Sequence, residues 1–268
     1  MPLAVCATPI GNLADVTLRV LDELAAADTI LCEDTRHTRL LLRRHGIEAR
    51  LLSYHRHNEA SRTAELVPRL VAGERLALVS DAGLPGVNDP GARLVAAALA
   101  AGVAVTVLPG PSAVETALVA SGLAGEQYRF VGYLPRKAGE LAALWEEVDS
   151  VTYPVVAFES PRRLGASLAS LAAFAPGRPV AVCRELTKVF EEVVRGTAAE
   201  LAHRFTEAPR GEITVVIGAP TGDAPAPVDT AVAAVAELVA AGAPRRVAAD
   251  VVARLAGTSR NRLYRSSL

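Results

Sequence analysis

The stretch "RLALVSDAGLPGVNDPG" (75–91) decides the fold class. Its opening residues are a short β-type run, too brief for a helix and closed by a breaker-rich segment. From Ser80 to Gly91 the chain packs three glycines, two prolines and two aspartates into twelve residues, more than a surface turn requires. Asp89 followed by Pro90 predicts an N-cap and a first helical residue, and Gly102 a helix stop. Strand, elaborate loop, helix is one α/β unit, and open α/β sheets bind ligands outside the carboxyl ends of their strands.

The same alternation runs outward in both directions. "LAVCAT" (3–8), "TILCE" (29–33), "ARLLSY" (49–54) and "VAVTVL" (103–108) read as strands. Asp15 or Thr17 can cap the helix whose stripe is Leu18, Leu21, Leu24 and Ala25, and Gly46 stops the next one. In the second half "YRFVGYL", "PVVAFE", "PVAVCREL", "EEVVRG" and "EITVVIG" are strand-like, and "FEEVVRG" alternates like an antiparallel strand with one wet face. Ser112-x-x-Glu115 and Thr197-x-x-Glu200 predict capping boxes, and Ser160-Pro161 opens another helix. "APTGDAPAPVD" (219–229) has the composition of a linker, and the residues after it read as all-helical. The fold class is therefore α/β with some antiparallel pairing in the second half and a small helical C-terminal element.

Composition narrows the function. The chain has 268 residues, 51% of them hydrophobic, and a net charge of −1, so no global charge points to nucleic acid or to an acidic partner. Cys6, Cys32 and Cys183 lie far apart in apolar runs, as buried structural thiols do. The N-terminus lacks the basic segment of a signal peptide. Leu94–Val114 carries no charge, but Gly102, Pro109, Gly110 and Pro111 interrupt it, which predicts a buried helix followed by a buried strand instead of a membrane span. A soluble, cytoplasmic protein is expected. The glycines never fall two apart and no Gly-Lys pair occurs, which argues against a dinucleotide fingerprint, a Rossmann-type methyltransferase loop and a Walker A loop. Four strand ends still carry unusual loops: "TPIGNLAD", "EDTRHT", "SDAGLPGVNDPG" and "PGPSA". Gly11, Gly83 and Gly86 would let backbone approach a ligand there.

At these loops the sequence resembles a known family. "TPIGNLADVTLR", "CEDTRHT", "SDAGLPGVNDPG", "LPGPSAVETAL", "FESPRR" and "CRELTK", in this order, are similar to the ribosomal RNA small subunit methyltransferase I family of the tetrapyrrole-methylase-like superfamily. The resemblance covers about the whole chain. It implies S-adenosylmethionine-dependent 2′-O-methylation of a cytidine ribose in small-subunit (16S) rRNA, free or within the assembled 30S subunit. It also implies a homodimer, and two α/β domains of tetrapyrrole-methylase type with the cofactor cleft between them. The expected division is 1–115, 116–220, a linker at 221–228 and a helix-turn-helix-like tail at 229–268. By motif match the cofactor contacts are Pro9, Ile10 and Gly11; Asp81, Ala82, Gly83 and Leu84; Ser112 and Ala113; and Phe158, Glu159, Glu185 and Ile213.

Chemistry assigns further roles. A carboxylate can accept from the cofactor's ammonium or ribose hydroxyls. At the sulfonium it would stabilise the ground state more than the transition state, because positive charge disappears there. Asp81 is therefore placed on the ribose or amino group, and Asp89 is left as a helix cap. The 2′-hydroxyl needs a base or a cation beside the developing alkoxide. Lys188 is the first candidate, since Lys137 and Lys188 are the only lysines among many arginines. Glu33, Asp34 and Arg36 are the others, the acids to position substrate and the arginine to hold phosphate.

His37, His45, His55 and His57, with Arg36, Arg39, Arg43, Arg44, Arg50, Arg56 and Arg62, make a local basic patch. His55-x-His57 alone is too sparse for a metal site, so none is expected. The tail adds Arg245, Arg246, Arg254, Arg260, Arg262 and Arg265 against Asp250. Both regions suit phosphate contact. Two alternatives stay open: a tetrapyrrole-type small-molecule methyltransferase of the same fold, and a non-catalytic RNA- or DNA-binding protein using the tail.

Overall fold

The computed structural model describes residues 2–220, 228–256, 258 and 260–267. The first ten elements are β1 (Leu3–Cys6), α1 (Leu18–Ala26), β2 (Thr29–Cys32), α2 (Thr35–Arg44), β3 (Leu51–Ser53), α3 (Glu59–Val71), β4 (Leu76–Val79), α4 (Ala92–Ala100), β5 (Val105–Leu108) and α5 (Ala113–Ser121). Their strands form a parallel sheet in the order β3-β2-β4-β1-β5. The strand period of two sorts side chains between the faces. Leu3, Val5, Leu76 and Leu78 join Leu66 and Leu70 of α3 and Leu94 and Ala98 of α4 in one core. Ala4, Cys6, Ala77 and Val79 join Val20 and Leu24 of α1 and Leu41 and Leu42 of α2 in another. The central strands β1, β2 and β4 are buried at every residue, as a sheet covered on both faces demands. Each fully buried leucine contributes roughly 2 kcal/mol.

The sheet's edges differ from the expectation for "VAVTVL". β5 is an edge strand with Val107 half exposed, because it pairs with β1 alone. Helix starts follow local chemistry elsewhere. Thr17, not Asp15, caps α1, accepting from Val20 N. Gly46 and Gly102 take the left-handed backbone that stops α2 and α4.

The next elements are β6 (Arg129–Tyr133), α6 (Ala138–Asp149), β7 (Val155–Glu159), α7 (Pro161–Phe174), β8 (Pro179–Arg184), β9 (Glu192–Thr197), α8 (Ala198–Arg204) and β10 (Ile213–Ile217). They form a second sheet in the order β6-β7-β10-β8-β9, with β6 and β7 parallel and β7 and β10 antiparallel. Its core is built on Trp145, Leu164, Leu168, Val155 and Val182. Thr197 and Glu200 form the expected capping box.

The last helices are α9 (Val228–Ala240), α10 (Arg245–Ala256) and α11 (Arg260–Ser266). They pack on their own small core of Ala231, Val235, Ala248, Ala249, Val252 and Leu263. Of the expected linker, residues 221–227 lie outside the described residues. By contacts the chain divides into two compact units, one running to Ala120 and including Cys183–Val193, the other comprising Ser121–Val182 and the residues from Val194 onward. All three cysteines are buried thiols, and burial pushes the Cys6 thiol up to about 12. Among the described residues no helix is long and apolar enough to cross a membrane.

Candidate active site

The site is assembled at the carboxyl edge of the first sheet. Beyond β1, Thr8 pairs with Gly83 beyond β4: Thr8 N donates to Gly83 O at 2.9 Å, and Gly83 N to Thr8 O at 3.0 Å. Buried Thr8 Oγ1 donates to Ser80 O at 3.0 Å, so the two loops are sewn together below the surface. Gly83 has φ +78°, a backbone that favours glycine, and a Cβ there would stand 3.7 Å from the carbonyl of Pro111 and 3.9 Å from Ile10 Cγ2. The loops after β1, β4 and β5 thus meet at one glycine. Pro9 and Ile10 are buried, while Ala82 is exposed and Leu84 half-buried. Ser112 stands before α5, with its hydroxyl donating to Glu115, and Ala113 is the first residue of that helix.

Gly11 lies against another stretch of the same chain. A Cβ there would stand 2.5 Å from Lys188 Cγ, 2.8 Å from Thr187 Oγ1 and 3.0 Å from Leu186 O. The close approach at Gly11 is made by the chain's own Leu186–Lys188 segment, which Asn12 N also holds by donating to Thr187 Oγ1 at 3.0 Å. That segment is strained: Glu185 has φ +52° and Thr187 φ +66°. A β-branched residue rarely adopts such a backbone, and strain of this kind clusters at functional sites. Its result is to set Lys188 on the β1 loop, where Nζ donates to Glu185 Oε1 at 2.8 Å.

The end of β2 supplies Glu33, Asp34 and Arg36. Asp34 caps α2 by accepting from Arg36 N at 2.8 Å, and grips the Arg36 guanidinium through both oxygens at 3.1 and 2.7 Å. The guanidinium and the helix N–H hold the Asp34 carboxyl far below the usual carboxylate range. Asp34's own amide donates to Asp81 Oδ1 at 3.1 Å, which ties the β2 loop to the β4 loop. Together Glu33, Asp34, Thr35, Arg36, Ser53, His55, His57 and Asp81 line an open cleft of about 490 Å³. A second hollow beneath Thr8, Pro9, Ser80 and Asp81 has about 10 Å³, room for one water at most.

The expectation for Asp89 fails. α4 begins at Ala92, its N-cap is Gly91 at φ +139°, and no side chain caps it. Asp89 and Pro90 lie in the loop before it, because Glu59 Oε1 takes the amide of Gly91 at 3.0 Å and Arg56 Nη2 takes the carbonyl of Asn88 at 2.5 Å. Asp89 is half-buried near Glu33 and Asp81. Burial first, and those two carboxylates next, push its carboxyl up to about 6 against the opposing pull of Arg56. Aspartate before proline is a cap signal in sequence, and only the long-range contacts from α3 and Arg56 reveal the other role.

Phe158, Glu159 and Ile213 belong to the second unit. Phe158 packs edge-on against Phe130 and Tyr133 at 4.9 and 5.7 Å. Glu159 is buried, and its oxygens accept from Ser160 N at 2.6 Å and Ser167 Oγ at 2.5 Å, with Arg163 Nη2 at 3.2 Å. Ile213 pairs with it across the antiparallel ladder and is buried in the core. Glu185 groups with Lys188 in the first unit.

The sequence pattern of the family described as Tetrapyrrole (Corrin/Porphyrin) Methylases matches residues 2–202. The chain is 44% identical over 271 residues to Ribosomal RNA small subunit methyltransferase I of Mesorhizobium japonicum, covering 99% of this chain and 91% of that protein. It belongs to the ribosomal RNA small subunit methyltransferase I family. The protein of the same name from Micromonospora olivasterospora is 46% identical, covering 96% and 83%. The fold of this methyltransferase matches the crystal structure of uroporphyrin-III C-methyl transferase from Thermus thermophilus complexed with S-adenosyl homocysteine, with TM-score 0.56, 19% identity, and coverage of 81% of this chain and 96% of that one.

The methyltransferase's basic surface is concentrated on α2. Thr38, Leu41 and Leu42 face the core, which leaves Arg39, Arg43 and Arg44 exposed on the other side. None of these three forms a salt bridge among the described residues, unlike Arg36 and Arg62, which pair with Asp34 and Glu65. In the tail Arg254 is largely exposed beside Asp250. Arg246 and Arg260 are exposed and Arg245 is half-buried, whereas the side chains of Arg262 and Arg265 lie outside the described residues.

Proposed function

We propose that this chain transfers the methyl group of S-adenosylmethionine to the 2′-hydroxyl of a cytidine ribose in small-subunit ribosomal RNA, acting as a cytoplasmic homodimer. The observation that carries the reading is the near full-length identity to proteins named Ribosomal RNA small subunit methyltransferase I. The carboxyl edge of the first sheet suits the methyl donor. Asp81 uses Oδ1 on Asp34 N, which leaves Oδ2 to accept from an ammonium or a ribose hydroxyl. Gly83 keeps the backbone open beside buried Ile10, and Pro9, Gly11, Ala82, Leu84, Ser112 and Ala113 complete that wall. When bound, the donor supplies an electrophilic methyl group on sulfur.

From the second unit, Phe158 offers an aromatic edge. Glu159, its carboxylate engaged internally, and buried Ile213 contribute through their main chains. Lys188, fixed by its ion pair to Glu185, supplies positive charge for the developing alkoxide or a flanking phosphate. Glu33 and Asp34 position the nucleotide, and Arg36 meets its phosphate. Arg39, Arg43 and the helical tail from residue 229 hold RNA by charge.

The test is to incubate the protein with labelled S-adenosylmethionine and small ribosomal subunits lacking the modification, then digest to nucleosides. Label in 2′-O-methylcytidine is expected. Label in another nucleoside, in protein or in a tetrapyrrole would overturn the reading.

A further inference from the structure

We propose that Phe190 is a stacking platform for an unpaired base of the RNA strand that carries the target ribose, an inference that rests on the ribosomal RNA reading above. Phe190 is 72% exposed and the neighbouring Val189 is 93% exposed. The chain's other phenylalanines, Phe130, Phe158, Phe174 and Phe205, are all buried or half-buried. A single exposed apolar side chain is ordinary. The backbone beneath this one is not.

Two successive turns between β8 and β9 set the ring where it is. Lys188 N donates to Glu185 O at 3.0 Å, and Glu191 N donates to Lys188 O at 3.1 Å. Val189 and Phe190 are therefore the two central residues of the second turn. Glu185 and Thr187 take positive φ to make the first. Thr187 N donates to the Glu191 carboxylate, and Arg184 Nε donates to Glu192 Oε2 at 3.1 Å across the base of the segment. Leu186 is buried, so one apolar side chain anchors the segment while two are held out in water. The whole rests on the β1 loop through Gly11 and through Asn12 N, which donates to Thr187 Oγ1. Strain and hydrogen bonds thus present a rigid aromatic tip beside the site, and a ring fixed in this way loses little freedom when it binds. Among the described residues no aromatic ring packs against it.

The position of the tip favours a nucleotide base as its occupant. Lys188, two residues earlier, is the cation assigned above to the ribose oxygen or a flanking phosphate. Two residues span about 7 Å of chain at most. A ribose held at Lys188 therefore brings a base of the same strand within reach of the ring. Unpaired RNA bases are bound by stacking on aromatic side chains, which needs a flat apolar face and no charge. A second copy of this chain fits less well. A stable contact between protomers buries about 800 Å² on each side, whereas the tip offers two side chains between the charged Lys188 and Glu191.

The experiment is single-turnover methyl transfer over a range of concentrations of small subunits lacking the modification, with the full chain and with Phe190→Ala, Phe190→Leu and Phe190→Trp. Phe190→Ala should raise the subunit concentration that gives half the maximal rate about tenfold. The rate at saturation should stay within about threefold, the split expected when binding is lost equally from ground and transition states. Phe190→Trp keeps an aromatic face and should stay within about threefold of the parent on both measures. Phe190→Leu keeps apolar bulk without that face and should behave as Phe190→Ala does. The slope of log affinity against log salt should be the same in all four, because stacking releases no counterions. Calorimetric affinity for S-adenosylmethionine within about threefold of the parent shows that each variant is folded. A half-maximal concentration for Phe190→Ala within about twofold of the parent overturns the inference, and so does a Phe190→Leu variant that matches the parent. A lower mass for Phe190→Ala than for the parent in sedimentation would assign the tip to a contact between copies of this chain and overturn it too. A parent that leaves small subunits unlabelled overturns the functional reading and this inference with it.

Discussion

Glu159 and Asp89 are both acids a few residues before a helix, one in the second sheet and one at the carboxyl edge of the first, and they are treated in opposite ways. Glu159 is fully buried and takes hydrogen bonds from Ser160 N and Ser167 Oγ beside the Arg163 guanidinium. Asp89 is half-buried, faces two other carboxylates and receives no hydrogen bond from a described residue. A satisfied buried carboxylate fixes structure, here the first turn of α7 against β7. An unsatisfied one raises the free energy of the folded state, and such cost is tolerated where chemistry uses it.

The comparison can be broken first at Glu159. Glu159→Ala leaves Ser167, Ser160 N and Arg163 without their acceptor, which should cost about 3 kcal/mol and lower Tm by on the order of 10 °C. Differential scanning calorimetry measures this, and a change under 2 °C would show the network to be idle. Gly11→Ala comes next. The added methyl must displace Lys188 Cγ and press on Leu186 O. Methyl transfer should fall about tenfold through a displaced Lys188, with a loss of about 1–2 kcal/mol in stability by urea titration. The double variant Arg39→Ala/Arg43→Ala should leave stability and cofactor affinity alone. It should weaken binding to small subunits and flatten the slope of log affinity against log salt by about 1 to 2.

Much of the architecture was legible because strand and helix periods are local. The ten strands of the described residues, the Gly46 and Gly102 stops and the Thr197–Glu200 box follow from residues a few positions apart. The strand-end loops were legible too, through glycine and proline density. What the sequence hid is set by distant contacts. Asp89 reads as a cap until Glu59 and Arg56, about thirty residues earlier, are seen to hold its loop. Gly11 reads as a position for close backbone approach, but that Leu186–Lys188 packs upon it cannot be read from the sequence. Glu159 is named by its motif, but that Ser167, two helical turns on, donates to its carboxylate cannot be read from the sequence. In each case the residue type announced special chemistry, and the partner that decides which chemistry lay far along the chain or on a face that only packing defines.

The central claim, that Asp89 is held against its own preference, is tested most directly by the melting temperatures of the parent and Asp89→Asn from pH 4 to 8. An aspartate raised to about 6 in the native state keeps its proton after the unfolded chain has lost its own, so the parent loses stability as pH rises from about 4 to 6. Asparagine does not share that loss. The account predicts that Asp89→Asn melts with the parent near pH 4 and above it at pH 7, by about 1 kcal/mol once solvent screening of a half-exposed group is allowed for. A variant that melts below the parent at pH 7, with the gap widening as pH rises, would mean that Asp89 is a structural acid with a partner, and would contradict the account.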